Sequence, residues 1–309
     1  MASRFEVTIL GSSSATPTSK RFPSAQLLNV SERLFLIDCG EGTQIQLRRY
    51  RVKFQRINHI FISHLHGDHY LGLLGLLCSL HLLGRQKKLT IYSPKGLQEI
   101  IEVQLRISVT VINYEIEWVE LNTQEPALIY EDSQLTVQTV ILHHRIPCCG
   151  FIFREKERPL SLMKDKLAEL NVPLIYYHNL KRGENIVLED GRKIKARDVT
   201  RQPDHARSYA YCSDTRYNTE VAAAVKNVDL LYHEATFLHE MLDRAEKTAH
   251  STALEAGQIA ALAQVKQLII GHFSVRYSDL QPLRDESASV FSDVRLAEEG
   301  MTFKVGSPE

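Results

Sequence analysis

Apolar residues along this chain fall into short runs separated by polar, glycine-bearing turns, the pattern of strands and helices sharing a core. Phe5 to Leu10, Leu34 to Ile37, the run His59-Ile60-Phe61-Ile62, Leu135 to Leu142, Tyr209 to Ser213, Val228 to Tyr232 and Gln267 to Gly271 read as strands. Gly11-Ser12-Ser13-Ser14-Ala15-Thr16-Pro17-Thr18 reads as a turn-rich loop. Thr43 to Tyr50 and Thr252 to Ala263 read as helices. Tyr70 to Leu83 reads as a third, with Leu71, Leu74, Leu77, Leu80 and Leu83 spread around it, which predicts a helix buried on all sides. His81 on that helix is expected to be a boundary histidine rather than a ligand. Strands alternating with helices predict an α/β protein, its sheets covered by helices. No internal repeat or low-complexity segment interrupts the pattern.

The chemistry gathers where the strands end. The His59–Ile62 run leads into His64-Leu65-His66-Gly67-Asp68-His69, three imidazoles and a carboxylate within six residues. Gly67 permits a sharp turn, so neighbouring side chains can converge instead of alternating across a strand. Imidazole and carboxylate suit a borderline-soft divalent ion such as zinc. Three further strands also end in potential ligands: His143 and His144 after Leu142, Asp214 after Ser213, and His272 after Gly271. In open α/β sheets ligands lie in the crevice beyond the strand ends. With one of the adjacent His143 and His144 counted, seven groups exceed the four or so that one zinc takes, so two zinc ions per chain are expected. Asp214, with two oxygens, is the natural bridge between them.

Composition fits a soluble enzyme. The 309 residues are 44% hydrophobic, enough for a full core, and no apolar stretch is long enough to cross a membrane. Met1-Ala2-Ser3-Arg4-Phe5-Glu6 lacks the apolar stretch of a signal peptide, and the five cysteines form no CxxC pair, so a reducing cytoplasm is expected. Net charge is zero, so any nucleic-acid partner must be met by a local basic patch. One such patch exists. Residues from about 151 to 207 carry thirteen Lys or Arg against nine Asp or Glu, in a chain otherwise slightly acidic. Glu189-Asp190-Gly191-Arg192 within it reads as a hairpin turn. Such a lobe could be ordinary solvated surface or an arm that grips an extended polyanion through its phosphates.

The motif set resembles the ribonuclease Z family of the metallo-β-lactamase superfamily. His64, His66, Asp68 and His69 match the superfamily's H-x-H-x-D-H signature. The family's further motifs are matched by Asp38-Cys39-Gly40-Glu41-Gly42-Thr43-Gln44, His233-Glu234-Ala235-Thr236, Ala249-His250-Ser251-Thr252 and Gly271-His272-Phe273-Ser274, and the likeness covers nearly the whole chain. It implies a four-layer αββα sandwich in which 1–309 form one domain and about 151–207 form an inserted tRNA-binding arm. It selects His144 over His143 by the distance to Gly150. One zinc would sit on His64, His66 and His144, the other on Asp68, His69 and His272, with Asp214 bridging. Asp68 would also orient the attacking water, His250 would give a proton to the leaving oxygen, and Glu234 would hold His250. His233 receives no role. Lys20 and Arg21 in the Pro17–Pro23 loop, and Lys181 and Arg182 in the arm, would contact RNA. The loop departs from the family's P-x-K-x-R-N, its Lys and Arg being adjacent and its Asn missing, and Val172-Pro173-Leu174-Ile175-Tyr176-Tyr177-His178 stands where the family's arm has a Gly-Pro tip. The expected activity is zinc-dependent endonucleolytic removal of the 3′ trailer from precursor tRNA, by a cytoplasmic homodimer. The alternative is another superfamily phosphodiesterase, or a hydrolase of small esters or lactones, which would need the same zinc ligands but no arm.

Overall fold

The computed structural model describes residues 4–203 and 205–306. Met1–Ser3, where the N-terminal reading begins, and Asp204, one of the nine acidic residues of the basic lobe, lie outside the described residues.

Two seven-stranded mixed sheets face each other. In the first the order is Thr302–Lys304, Phe5–Gly11, Ala25–Val30, Arg33–Ile37, Ile57–Phe61, Leu89–Ser93 and Ile116–Glu120; the first four are antiparallel and the last four parallel. In the second the order is Val294–Leu296, Gln267–Gly271, Leu230–Glu234, Ser208–Cys212, Cys148–Glu155, Leu135–Leu142 and Leu128–Glu131, again half parallel and half antiparallel. The parallel strands of a sheet end at one edge, and that common edge carries the site.

Period-two alternation assigns each strand's faces. Phe35 and Ile37 point between the sheets, while Leu34 and Leu36 point toward the helices Leu73–Leu82 and Leu97–Ile107. Between the sheets Phe61 meets Phe153 and Phe151, with ring centroids 5.3 and 5.4 Å apart, and Tyr211 stacks on Tyr232 at 5.0 Å. Each such ring removed from water contributes about 1.5–3 kcal/mol. On the outer face of the second sheet the helix Ala253–Ala263 presents Ala256, Ile259, Ala260 and Ala263. Thr252 and Glu255 close a reciprocal capping box at its start, which places Thr252 before the first helical turn rather than in it. The outcome is the αββα arrangement.

Two readings change, and one strand is added. The predicted helix over 70–83 is two helices, Gly67–Tyr70 and Leu73–Leu82, and it is buried on one side only: Leu73, Leu76, Leu77 and Leu80 are covered, whereas Leu71, Leu82 and Leu83 are exposed. His81 meets the Asn113 backbone N–H at 3.2 Å, as a boundary histidine should. Ala25–Val30 is a fully buried strand that the sequence pattern hid behind the polar Gln26 and Asn29; there the Tyr209 hydroxyl donates to Gln26 Oε1. Finally, residues 151–155 belong to the long Cys148–Glu155 strand, because Phe151, Ile152 and Phe153 fill the core.

The segment after Glu155 has a small core of its own, built from Leu167, Val172, Leu180, Ile186, Leu188, Ile194, Ala196 and Val199. Ile186–Val187 pairs with Lys193–Ile194 across the 189–192 turn, where Gly191 takes φ +82°. At its root Glu155 and Arg207 exchange backbone and side-chain bonds, so the segment leaves and re-enters the sheet at one point. Lys181 and Arg182 are both exposed on it.

Candidate metal centre

Local backbone chemistry aims the strand ends at one cleft. Gly40 and Gly72 let the 38–40 loop pack directly on the 67–72 turn: a Cβ on Gly40 would stand 2.4 Å from the Asp68 carbonyl oxygen, and one on Gly72 would stand 2.1 Å from the Gly40 oxygen. Asp38, Ala249 and His272 each take a left-handed φ, between +55° and +59°, although none is glycine. Strain of this kind collects where surrounding structure overrides it, often at functional sites.

The seven ligand candidates converge. His66 Nδ1 lies 3.1 Å from both His64 Nε2 and His144 Nε2. Asp214 Oδ2 lies 3.5 Å from His64 Nε2 and 3.8 Å from His144 Nε2. On the other side, His69 Nε2 and His272 Nε2 are 3.4 Å apart, each within 3.5 Å of Asp68 Oδ2 and within 3.3 Å of Asp214 Oδ1. A tetrahedral ion with bonds of about 2.0–2.1 Å has ligand atoms about 3.3–3.4 Å apart. The two groups therefore have the edge lengths of two tetrahedra sharing Asp214, one oxygen to each. These residues could hold metal.

The far nitrogens of the histidines fix where their lone pairs point. Ser63 Oγ donates to Asp38 Oδ2 at 2.9 Å, so at 3.0 Å it accepts from His64 Nδ1–H. Thr236 Oγ1 donates to Glu234 Oε2 at 2.6 Å, so at 2.9 Å it accepts from His272 Nδ1–H. His69 Nδ1–H donates to Asp38 at 2.7 Å, and His144 Nδ1–H to the Ala249 carbonyl at 2.8 Å. Each bond engages Nδ1 and turns Nε2 toward the centre, the usual support of a metal-binding imidazole. Asp38 also accepts from the Ser63 amide and the Tyr211 hydroxyl. Asp38, Ser63 and Thr236 were not singled out as site residues in the sequence, although Asp38 and Thr236 lie inside quoted motifs.

Electrostatics agree with a cation site. Burial opposes ionisation of Asp214 and Asp68, yet the facing histidines hold both carboxyls well below the usual range. Burial keeps His64, His66 and His144 neutral by lowering their pKa. Burial also opposes charge on His69, but Asp214, Asp68 and Asp38 together raise it strongly. A field that draws a proton so firmly draws a metal cation too.

His250 stands beside these groups, its ring 5.0 Å from that of His144 and 5.4 Å from that of His272. Its Nδ1 meets Glu234 Oε1 at 2.9 Å. Burial alone would lower its pKa; the Glu234 carboxylate, supported by Asp214 and Asp68, raises it to about 9. Asp214, His250 and His272 also converge closely enough to form a third trio of donors.

The cleft, of about 290 Å³, is lined by His66, Asp68, Asp214, His250 and His272, and also by Arg145 and Glu41, which the sequence reading passed over. Ser14, Ala15, Pro17 and Pro23 of the loop form its rim. The Ala15 amide donates to Asp68 Oδ2 at 2.7 Å, tying that rim to a ligand candidate. Lys20 is exposed on the same loop, but the Arg21 guanidinium turns inward to the Tyr277 and Ser274 carbonyls at 2.9 and 3.2 Å and braces the loop. His143 faces Glu220 at 3.4 Å, away from the cleft. His233 is buried and donates to the Glu234 carbonyl.

Known proteins share this architecture. The family described as Anti-Pycsar protein Apyc1 matches residues 5–190, a span that holds His64 to His69 and His144 but stops before Asp214, His250 and His272. Ribonuclease Z of Bacteroides thetaiotaomicron is 48% identical over 98% of this chain and 96% of its own, and Ribonuclease Z of Cytophaga hutchinsonii is 46% identical over 97% and 96%. The crystal structure of human tRNase Z, short form (ELAC1), is similar with a TM-score of 0.69 and 28% identity, covering 98% of this chain and all of that one. The full-length likeness and the shared fold lead to one conclusion: the chain belongs to the ribonuclease Z family.

Proposed function

We propose that this chain is an endoribonuclease that cleaves precursor tRNA 3′ of the discriminator region, removing the 3′ trailer and leaving a 3′-hydroxyl on the tRNA. The observation that carries the reading is the His250–Glu234 hydrogen bond set beside seven convergent metal donors in one open cleft. A hydrolase of small esters would need the donors but would have no use for a basic arm.

The donor set fits two zinc ions: His64, His66 and His144 would hold one, Asp68, His69 and His272 the other, with Asp214 between them. Once bound, such ions would lower the pKa of a water and offset charge gathering at phosphorus. Asp68, fixed by the Ala15 amide, would orient that water. As the water's oxygen bonds to phosphorus and sheds its proton to solvent, the bond to O3′ would break and His250 would pass its Nε2 proton to O3′, later regaining one from solvent; Glu234 would stabilise the charged imidazole until that transfer. Lys20, Lys181 and Arg182 would meet phosphates, while Arg21 would act by holding the loop. The same proposal includes a cytoplasmic homodimer; light scattering at assay concentration tests the dimer. The central test is end-mapping of products from a 3′-extended precursor tRNA. A 3′-hydroxyl tRNA and a 5′-phosphorylated trailer are expected; an intact precursor together with rapid lactone or thioester hydrolysis overturns the reading.

A further inference from the structure

The nuclease reading leaves the larger of the molecule's cavities beside the site unused. It measures about 610 Å³, roughly twice the metal cleft, and it lies behind the same two turns that carry ligand candidates. Leu65 lines it from between His64 and His66, and Ile146 and Pro147 line it just after His144 and Arg145. His66 and Arg145 line the cleft itself. The two cavities are therefore separated by single chain steps, about 3.8 Å from Cα to Cα.

The cavity walls divide by chemistry. Leu65, Pro94, Leu121, Ile146 and Pro147 give an apolar slot. Its other lining is polar: Lys95 lies in the turn after the Leu89–Ser93 strand, Glu120 ends the Ile116–Glu120 strand, and Asn122, Thr123 and Gln124 follow it. Asn122 Oδ1 accepts from the Gln124 and Glu125 amides at 2.8 and 3.3 Å, which fixes the turn and leaves its NH₂ for another partner. Among the described residues, the side chains of Lys95, Glu120 and Gln124 have no hydrogen-bond or ion-pair partner. An apolar slot ringed by an amide donor, a carboxylate acceptor and one cation matches a heterocycle with a hydrogen-bonding edge and a phosphate attached. Single-stranded RNA offers that combination when a base is splayed out.

We propose, resting on the nuclease reading, that this cavity receives a nucleobase of the RNA strand next to the scissile phosphate, with the base against Leu65 and Ile146 and its edge toward Asn122 and Glu120. The pocket makes the bond cleaved depend on a neighbouring nucleotide, beyond the metals and the arm.

The test uses the zinc-loaded enzyme and precursor tRNAs with an abasic site at the nucleotide on either side of the scissile bond, cleaved by the unaltered protein and by Thr123→Trp, which fills the mouth. At one position the missing base should cost the unaltered enzyme about tenfold or more in kcat/KM, within the span known for one base's contacts. The same lesion should cost Thr123→Trp less than twofold, since its cavity has no base to lose, and the responding position identifies the upstream or downstream nucleotide. Equal penalties in both proteins at both positions, or no penalty at all, overturn the proposal. Zinc content and melting temperature qualify the variant. Should it not fold, 2-aminopurine at the two positions serves with the unaltered enzyme: a rise in emission on binding at one position supports the pocket, and unchanged emission at both overturns it. An enzyme that leaves the unmodified precursor intact defeats the nuclease reading and this one together, a result distinct from all the others.

Discussion

Glu234 bonds His250 with one carboxylate oxygen, Oε1 to Nδ1 at 2.9 Å, and with the other accepts the Thr236 hydroxyl that in turn holds His272 Nδ1. One buried carboxylate thus fixes both the candidate proton donor and the tautomer of a candidate metal ligand. A change there should be felt in proton transfer and in metal affinity, and the two effects separate by substitution.

For proton transfer, His250→Ala should keep its zinc and lose about 10²–10⁴-fold in turnover. The pH profile carries the sign. A general acid works while protonated, so with the pKa of His250 raised to about 9, kcat should fall as pH rises through that region. Glu234→Gln removes the carboxylate that raises it, so the alkaline fall should move to lower pH. An unmoved alkaline limb, or zinc lost from His250→Ala, contradicts the assignment.

For metal affinity, Thr236→Val removes the oxygen that accepts from His272 Nδ1–H at 2.9 Å. Loss of such a partner typically weakens metal binding about 10–100-fold. Chelator competition reads this directly, and an affinity equal to that of the unaltered protein rules out the orienting role.

Asp214 offers one oxygen to each half of the site, 3.2 Å from His272 Nε2 and 3.5 Å from His64 Nε2. Asp214→Ala should therefore lose activity more completely than removal of any single histidine, with metal content falling from about two toward one or none. Metal analysis beside turnover checks it; a fully active variant ends the shared-carboxylate picture.

Glu155 and Arg207 meet at the root of the arm, so residues 157–206 can be replaced by a short Gly-Ser link without stretching the sheet. This deletion should cripple cleavage of precursor tRNA and leave hydrolysis of bis-para-nitrophenyl phosphate nearly intact, because only the folded RNA needs phosphate contacts far from the scissile bond. Parallel loss of both activities with metal still bound would make the arm part of the cleft.

Glu299 accepts from the Phe22 amide at 2.5 Å and from Gln46 Nε2 at 2.7 Å, pinning the loop that rims the cleft. Burial raises its pKa from 4.5 to about 7, against the pull of these bonds and of Arg49 and Arg21. Between those values the folded state holds a proton that the unfolded chain has lost, so stability should decline as pH rises from about 4.5 to 7. Glu299→Gln should flatten that slope, by about 1–2 kcal/mol after allowance for partial solvation. Denaturant melts at pH 5 and pH 8 measure it, and equal slopes in both proteins would show Glu299 ionised throughout.

The sequence by itself determined where chemistry could occur. The ligand candidates follow apolar runs, and the Gln267–Gly271 strand and the Ala253–Ala263 helix sit almost where periodicity puts them, because burial of one face is written in residue order. The motif likeness pointed to His144; past the strand end at Leu142 the two neighbours diverge, His143 toward Glu220 and His144 toward His66. Tertiary structure alone decided the supports. Asp38 meets His69 across 31 residues of chain and Thr236 meets His272 across 36, pairings that no periodicity encodes because they depend on which strands lie side by side. It also turned Arg21 inward and bared one side of the Leu73–Leu82 helix, since charge and apolarity state only a preference for water or for a partner, and the packed neighbours decide which is met.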